Sequence, residues 1–566
     1  MTVQFHKDRP LIVQSDFSVL LEARHPAFDE TREGLSRFAD LVKTPDHVHT
    51  YRITALSLWN AAASGVGADE VIAFLDSRAK FGIPLAVQRE IRRFIDRYGL
   101  VRMERLGEDL LLVSDDIGAI KEMCQFKSLQ SYGLCQVDER TLRFSPQYRG
   151  LLKQELIKLG YPIEDLAGYN PGEALPIRLK SRTAAGKSFA LRDYQRSAVE
   201  SFYREGSLQG GSGVIVLPCG AGKTIIGIAA MGKLGCATLI LTTNGTSVRQ
   251  WKREILEKTE LTEEMVGEYT GSGKDVKPVT IATYQILTYR KAKDEPFLHM
   301  ELFRKRDWGL IVYDEVHLLP APVFRMTADI QATRRLGLTA TLIREDGREE
   351  DVFSLVGPKR FELPWKDLER QGWIAAVECI EYRVPFGKEE AERYMAADAR
   401  SRMRLASENE AKLDVVDALL KRHEGEPTLI IGQYLAQLRR ISARTGAPLI
   451  TGEMPNEKRE ALYQRFRDGE ERVLIVSKVA NFAVDLPDAS VAVQVSGSFG
   501  SRQEEAQRLG RILRPKADAN RAYFYSIVTA DSREQEFAWN RQLFLVEQGY
   551  RYRTEAWKPD KEVIQT

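Results

Sequence analysis

Apolar residues recur along the chain in two patterns, one typical of helices and one typical of buried strands. Before about residue 105, apolar positions spaced three and four apart, as in 51–63 and 68–81, predict a mostly helical N-terminal domain. From about 107 to 175, short alternating runs predict a small α+β module. The turn-rich segment 167–172 marks the end of this module.

From Leu191 onward, short apolar strands alternate with helical segments, and each strand ends in polar or glycine residues, as parallel strands that feed helices do. The predicted strands form two sets: 214–217, 237–241, 279–282, 310–313 and 335–338, then 428–431, 448–450, 473–476, 491–495 and 523–528. Between the sets, about 388–420 reads as a charged helical insert. The pattern therefore predicts an α/β protein with two tandem doubly wound parallel-sheet domains. The expected boundaries are 1–105, 106–180, 181–365 and 366–566.

Composition narrows the class of protein. The 566 residues are 43% hydrophobic and 29% charged, which is typical of globular domains. The net charge is only +2, so binding to nucleic acid would require a local cluster of basic residues. The five cysteines form no CxxC pair, which argues against a zinc ribbon or a four-cysteine iron–sulfur cluster. His47 and His49 are spaced for chelation, but without further ligands nearby, ordinary packing is the preferred interpretation. With no apolar signal core or membrane-length stretch, we expect a cytoplasmic protein without membrane contact.

A glycine-rich segment, Leu-Pro-Cys-Gly-Ala-Gly-Lys-Thr at 217–224, lies between two apolar runs. Strand, glycine-rich loop and helix form the context of a phosphate-binding loop, although the strict pattern has glycine at position 217. Lysine can reach the terminal phosphates and threonine can hold Mg²⁺, while loop N–H groups face phosphate oxygens. The alternative is a tight strand–helix turn with an incidental lysine. The predicted ATP and Mg²⁺ ligands of this loop are Gly220, Ala221, Gly222, Lys223 and Thr224.

Two carboxylates, Asp314 and Glu315, follow the apolar strand 310–313. The strand end places both beside the phosphate loop. Asp314 is predicted to hold Mg²⁺ through water, and Glu315 to polarise the attacking water. The alternative is a solvated acidic turn. That alternative does not explain why the two carboxylates come at this distance after a glycine-rich phosphate loop.

The segment 507–514 carries arginines at spacings of three, which share one face of a helix. Arg511 and Arg514, with Gln507 beside them, are predicted to enter the cleft between the two α/β halves and neutralise charge on the transferred phosphoryl group. A solvent-exposed basic helix is the alternative.

Weaker signals lie near other strand ends. The Gln195 amide can pair with an adenine edge, and Arg192 precedes it in the same segment. Asn244 and Thr283 end strands of the first set, where small polar groups can bind nucleic-acid phosphates without reading bases. Thr339 follows the strand 335–338, and its hydroxyl can link the acidic pair to the second half.

Together these residues resemble the XPB family of superfamily 2 DNA helicases and translocases, over nearly the whole chain. Arg344, Glu345 and Asp346 look like the RED motif of that family. The insert at 388–420 matches the position of its thumb-like element, and 107–180 lies where relatives carry a damage-recognition-like domain. The other matching segments are 47–58, 217–224, 314–325, 337–346, 498–514 and 541–550.

The resemblance implies two RecA-like domains with ATP between them, and ATP-driven 3′-to-5′ movement on double-stranded or forked DNA, in repair of the nucleotide-excision type. It assigns Arg344, Glu345 and Asp346 to DNA binding and Asp485 to the ribose. It also implies a compact prokaryotic form, a monomer, and in some relatives a partner nuclease. Where the family has Gly-Asp, this chain has Ala480-Asn481, a change that bears on DNA stimulation more than on hydrolysis. Two alternatives stay open: a translocase with little strand separation, and a scaffold that uses ATP as a clamp and recruits a nuclease.

Overall fold

The structure is a computed structural model that describes residues 5–43, 47–183, 186–218, 220–292, 295–340, 347–363, 365–477, 489–497, 520–547, 550 and 552–558. The chain divides into two compact units. The first comprises Met1–Leu217 and Gly222–Glu362, and the second comprises Pro218–Ala221 and Leu363–Thr566. No helix in the described ranges combines the length and apolar character needed to cross a membrane.

The N-terminal part of the first unit combines four helices with an antiparallel sheet of strand order β1-β2-β4-β3. The helices contain more residues than the strands, as predicted, but the sheet was not predicted from the sequence. His49 in this sheet is buried, and its ring packs edge-on against Phe28 with centroids 4.9 Å apart, so the packing interpretation is supported. Among the described residues no cluster of metal-binding side chains occurs. The elements are β1 (Leu11–Val13), β2 (Ser18–Glu22), α1 (Phe28–Ser36), β3 (Asp40–Lys43), β4 (Val48–Arg52), α2 (Ala55–Ala63), α3 (Ala68–Arg78) and α4 (Leu85–Arg97).

The predicted α+β module follows. Its five-stranded sheet has the order β7-β8-β6-β5-β9, antiparallel except for the β5–β9 pair. Alternate residues of β6 and β8, such as Leu110, Leu112 and Leu142, are buried between the sheet and its helices. The elements are β5 (Arg102–Leu106), β6 (Asp109–Val113), α5 (Ile117–Gln125), β7 (Cys135–Asp138), β8 (Thr141–Phe144), α6 (Arg149–Lys158) and β9 (Glu164–Asp165).

The first unit continues into a seven-stranded parallel sheet of order β12-β13-β11-β14-β15-β10-β16. All five strands predicted for the first set are present, and β12 and β16 extend the sheet at its two edges. Strands β10, β11 and β13 are buried along their whole length, as a sheet covered on both faces requires. The elements are α7 (Asp193–Tyr203), β10 (Ser212–Val216), α8 (Lys223–Leu234), β11 (Thr238–Thr242), α9 (Gly245–Lys258), β12 (Val266–Tyr269), β13 (Val279–Thr283), α10 (Tyr284–Leu287), β14 (Leu310–Asp314), α11 (Ala321–Asp329), β15 (Arg334–Thr339), α12 (Glu349–Leu355) and β16 (Lys359–Glu362).

The second unit contains another seven-stranded parallel sheet, of order β19-β20-β18-β21-β22-β17-β23. The predicted fold class, two tandem RecA-like α/β domains, is therefore confirmed. Three helices, α14 to α16, occupy the predicted insert. The elements are α13 (Trp365–Arg370), β17 (Ala376–Val384), α14 (Lys388–Ala396), α15 (Ala399–Ser407), α16 (Ala411–Arg422), β18 (Thr428–Gly432), α17 (Leu435–Thr445), β19 (Leu449–Ile450), α18 (Asn456–Arg467), β20 (Val473–Ser477), β21 (Val491–Gln494), β22 (Arg521–Thr529), α19 (Arg533–Glu547) and β23 (Tyr552–Ala556).

Within the first unit, the module packs directly on the parallel-sheet domain through α6. A Cβ atom on Gly150 of α6 would lie 2.3 Å from the Ala328 carbonyl oxygen of α11, so the two helices meet at backbone distance. Trp59, Ile157 and Phe353 form one apolar cluster that joins the N-terminal part, the module and α12. These contacts make the module an integral part of the first unit.

A buried ion cluster lies at this junction. Asp165 accepts two hydrogen bonds from Arg149, at 3.1 and 2.8 Å, and one from Lys153 Nζ at 3.1 Å. Lys153 Nζ also donates to Gln331 Oε1 of the parallel-sheet domain at 2.9 Å. Burial alone would raise the pKa of Asp165, but the charges of Lys153 and Arg149 outweigh it and hold that pKa well below its ordinary value. The cluster therefore contains an ionised carboxylate shared by two buried cations.

Candidate active site

The glycine-rich loop connects the end of β10 to the start of α8. Leu217 N donates to Thr339 O at 3.0 Å, which ties the loop to the neighbouring strand β15. Gly220 and Gly222 have φ angles of +82° and +79°, a left-handed conformation that glycine adopts without strain. The N-terminus of α8, a 12-residue helix, adds positive potential where a phosphate would bind.

Lys223 and Glu315 face each other beside this loop. Lys223 Nζ donates to Leu217 O at 3.3 Å and lies 3.9 Å from Glu315 Oε1. Their side chains are 10% and 21% exposed, so both are largely buried but accessible at this edge of the sheet. Glu315 itself has φ +52° and ψ +54°, a conformation that costs a non-glycine residue about 1–3 kcal/mol. This strained turn aims Glu315 at the lysine immediately after β14 ends.

Asp314 is held by donors from two neighbouring elements. Its Oδ2 accepts hydrogen bonds from Trp251 Nε1 at 2.9 Å and from Thr242 Oγ1 at 3.3 Å. Burial, together with the adjacent Glu315 charge, raises the pKa of Asp314 to about 6, although these hydrogen bonds and the Lys223 charge act in the opposite direction. A divalent cation would favour the ionised form of such a crowded carboxylate pair. The donor set therefore fits Mg²⁺, with Thr224 following Lys223 at the start of α8.

His317 connects the acidic pair to the next strand. Its Nδ1 lies 2.6 Å from Thr339 Oγ1 and 3.5 Å from Glu315 Oε2. Thr339 therefore contacts the acidic segment through His317, a role for this histidine that was not predicted from the sequence. The neighbouring Thr341 lies outside the described residues.

Gln195 lies against the loop from the other side. Its side chain is 4% exposed, and a Cβ on Gly222 would come within 2.6 Å of its Nε2. Gln195 Oε1 accepts from Arg192 N at 3.0 Å, and Arg192 Nη1 donates to Tyr194 Oη at 3.0 Å. The structure thus brings the predicted adenine-reading amide into contact with the phosphate loop.

Thr283 ends β13, and Asn244 follows the neighbouring strand β11 by two residues on the same edge of the sheet. Asn244 Oδ1 accepts from Ser247 N at 2.9 Å, and Thr283 Oγ1 accepts from Ile286 N at 3.3 Å. Both side chains therefore cap the helices that follow, α9 and α10. Their predicted contact with DNA stays a prediction.

Several predicted site residues lie outside the described residues, so their placement is untested. These are Arg344, Glu345, Asp346, Asp485, Gln507, Arg511 and Arg514, together with the departure at 480–481.

Comparison with known proteins gives the family. A family model described as ERCC3/RAD25/XPB C-terminal helicase matches residues 368–563, and one described as type III restriction enzyme, res subunit, matches 188–344. A third, described as helicase conserved C-terminal domain, matches 11–138. The DNA 3′-5′ helicase XPB of Mycobacterium tuberculosis is 53% identical over 96% of this chain and 97% of its own length. The chain belongs to the XPB family.

Other XPB proteins extend the comparison. The DNA 3′-5′ helicase XPB of Kineococcus radiotolerans is 52% identical, with 96% of each chain covered. A Saccharomyces cerevisiae protein, named as the XPB/SSL2 helicase/translocase subunit of general transcription and DNA repair factor IIH, is 31% identical over 97% of this chain and 72% of its own length. The resemblance inferred from the motifs is therefore confirmed, and this member of the XPB family is an ATP-hydrolysing helicase.

Proposed function

We propose that this chain is an ATP-dependent 3′–5′ DNA helicase and double-stranded DNA translocase that hydrolyses ATP at the site around Lys223 and Glu315. The observation that carries the proposal is the placement of Lys223 Nζ 3.9 Å from Glu315 Oε1, beside Asp314 and a left-handed glycine loop. The two bacterial XPB relatives are named DNA 3′-5′ helicases, which supports the polarity and the DNA substrate.

In this proposal each described residue has a separate task. Lys223 and the N-terminus of α8 bind the terminal phosphates, and Gln195 hydrogen-bonds the adenine edge. Thr224 and Asp314 would hold Mg²⁺, which neutralises charge on the phosphate oxygens when bound. Glu315 orients the attacking water and accepts its proton.

Further residues would act on the phosphoryl group, the ribose and the DNA. Gln507, Arg511 and Arg514 would stabilise the transferred phosphoryl group, and Asp485 would contact the ribose. Asn244 and Thr283 would contact DNA phosphates, and residues 344–346 would also bind DNA. The domains would be 1–105, 106–180, 181–365 and 366–566, with the thumb-like helices at about 388–420. We further propose that the chain acts as a monomer in DNA repair and works with a nuclease, as a compact prokaryotic XPB.

ATP turnover by the full chain tests this proposal. We expect DNA-dependent ATP hydrolysis, with Glu315→Gln losing roughly 10²–10⁴-fold in rate because the general base is removed. Lys223→Ala should lose turnover and ATP affinity together, since it removes the phosphate ligand. Lys233→Ala is the matched control, because Lys233 lies on the same helix and is 47% exposed beside Glu200. Full activity in either site variant would overturn the assignment.

DNA substrates separate the remaining alternatives. Unwinding of forked duplexes compared with displacement of a bound triplex strand distinguishes strand separation from translocation along the duplex. The scaffold hypothesis predicts ATP binding without turnover. It is not favoured, since bacterial relatives with about half of their residues identical are named as DNA 3′-5′ helicases.

A further inference from the structure

Trp251 of α9 occupies an unusual position for a buried core residue. Its side chain is 1% exposed, and its indole Nε1 donates to Asp314 Oδ2 at 2.9 Å. The far edge of its ring lies against the phosphate-loop helix α8, where a Cβ on Gly227 would come within 2.5 Å of Trp251 Cη2. The ring therefore fills the space between α8 and the end of β14, and contacts both elements that form the active site.

The hydrogen bonds on Asp314 are asymmetric. Trp251 and Thr242 both donate to Oδ2, and neither bonds Oδ1. Two donors on one oxygen fix the rotation of a carboxylate, which leaves the other oxygen for a metal ion or its water shell. Tyr284 Oη also donates to the Asp314 carbonyl oxygen at 2.9 Å, which holds the backbone at the same residue. Asp314 is thus pre-oriented from three neighbouring elements.

We propose that Trp251 is a positioning residue that orients Asp314 for Mg²⁺ through its indole N–H. This inference rests on the proposed ATPase function. The competing explanation is packing alone, in which the indole N–H bonds the nearest acceptor and the ring matters only for stability. The two explanations differ in what happens when the N–H is removed and a smaller aromatic ring remains, provided that a control accounts for the lost ring volume.

Trp251→Phe makes that change, and Trp308→Phe is its matched control. Trp308 is also buried in the first unit, and its Nε1 donates to the Leu302 carbonyl oxygen at 3.0 Å. It precedes β14, at the end of the strand opposite Asp314. Both variants lose one buried indole hydrogen bond, so both should lower the unfolding temperature to a similar extent.

The deciding measurement is binding of a fluorescently labelled ADP to the full chain, in Mg²⁺ and in EDTA. We expect Mg²⁺ to tighten binding by the wild type and by Trp308→Phe to the same degree. In Trp251→Phe this Mg²⁺ effect should fall on the order of 10-fold, as happens when a carboxylate that holds a metal loses its hydrogen-bonding support. The Mg²⁺ concentration that gives half-maximal ATP hydrolysis should rise in the same variant.

An unchanged Mg²⁺ effect in Trp251→Phe, equal to that of Trp308→Phe, would overturn the proposal and leave Trp251 a packing residue. Should Trp251→Phe fail to fold, Thr242→Val is tested in its place, because it removes the other donor to Asp314 Oδ2. An unchanged Mg²⁺ effect in that variant would overturn the proposal in the same way. Failure of the proposed function gives a different result, because the wild type would then hydrolyse no ATP. The wild-type assay therefore separates the two ideas.

Discussion

Substitution of Asp165 by asparagine tests whether the buried ion cluster holds the module to the first parallel-sheet domain. The change keeps the shape of the side chain but leaves Arg149 and Lys153, whose side chains are 3% and 8% exposed, without their shared counter-charge. Removal of one partner from a buried ion pair costs about 3–5 kcal/mol, because the remaining charge stays desolvated. We therefore expect Asp165→Asn to lower the free energy of unfolding of the first unit by about that amount.

Chemical denaturation of the full chain, followed by tyrosine and tryptophan fluorescence, measures this loss. The pH dependence provides a second check, because the pKa of Asp165 is lowered in the folded state. Such a carboxylate stabilises the fold above its unfolded pKa of about 3.9, and that stabilisation disappears as the pH falls through the folded pKa. The difference between wild type and variant should therefore shrink as the pH falls below about 4.

The matched control is Asp109→Asn in the same module. Asp109 lies 3.7 Å from Arg143, and both side chains are about half exposed, so this pair should contribute no more than about 1 kcal/mol. If Asp165→Asn behaves like Asp109→Asn, the cluster does not stabilise the junction. A large loss that persists unchanged at pH 3 would show that the effect does not come from the carboxylate charge.

Two further predictions concern the loop and the second unit. Gly222→Ala should raise the KM for ATP, because the new Cβ would lie 2.6 Å from Gln195 Nε2; Gly186→Ala, with a similar φ of +78° but open space around it, should leave ATP kinetics unchanged. Lys412→Met should destabilise the second unit by about 3–5 kcal/mol in thermal unfolding, because Glu534 would remain a buried charge without its lysine counter-charge. Lys412 Nζ donates to both Glu534 carboxylate oxygens at 2.9 and 2.7 Å, so the double change Lys412→Met with Glu534→Leu should recover most of the loss. Equal destabilisation in the single and double variants would contradict this reasoning.

The parallel sheets could be predicted because their strands are buried on both faces and therefore read as apolar runs. The site followed from the same principle, since the carboxyl ends of parallel strands share one edge, where the loop after β10 and the carboxylates after β14 meet. The local sequence, together with the rule that parallel strands end at one edge of their sheet, is therefore sufficient to predict both features.

Other elements carried no such signal. Strand β23 has no fully buried residue and joins the sheet through backbone pairing with β17, so its side chains do not show a strand pattern. Strands β1 to β4 are not buried along their whole length, so they give no continuous apolar run, and with three to five residues each their alternation is too short to separate them from helix or loop. Short or edge strands are specified by their partners rather than by their own sequence.

The support around the site could not be predicted for a related reason. The sequence pattern assigned Trp251 no role in the site, and only the tertiary structure shows that its N–H bonds Asp314. The burial of Asp165 likewise depends on cations from α6, which fold beside it. Such contacts depend on distances that a sequence pattern does not encode.

The close meeting of α6 and α11 has a practical consequence. A truncated protein that begins at residue 181 would lack the helix that packs on α11 and α12. Phe353 would then be exposed to solvent, and Gln331 would lose its hydrogen bond from Lys153. Such a product would tend to aggregate, so any loss of activity would follow from the exposed apolar surface and would assign no function to the removed residues. Surface substitutions that keep α6 packed on α11 are the sounder test of whether residues 1–180 have a function of their own.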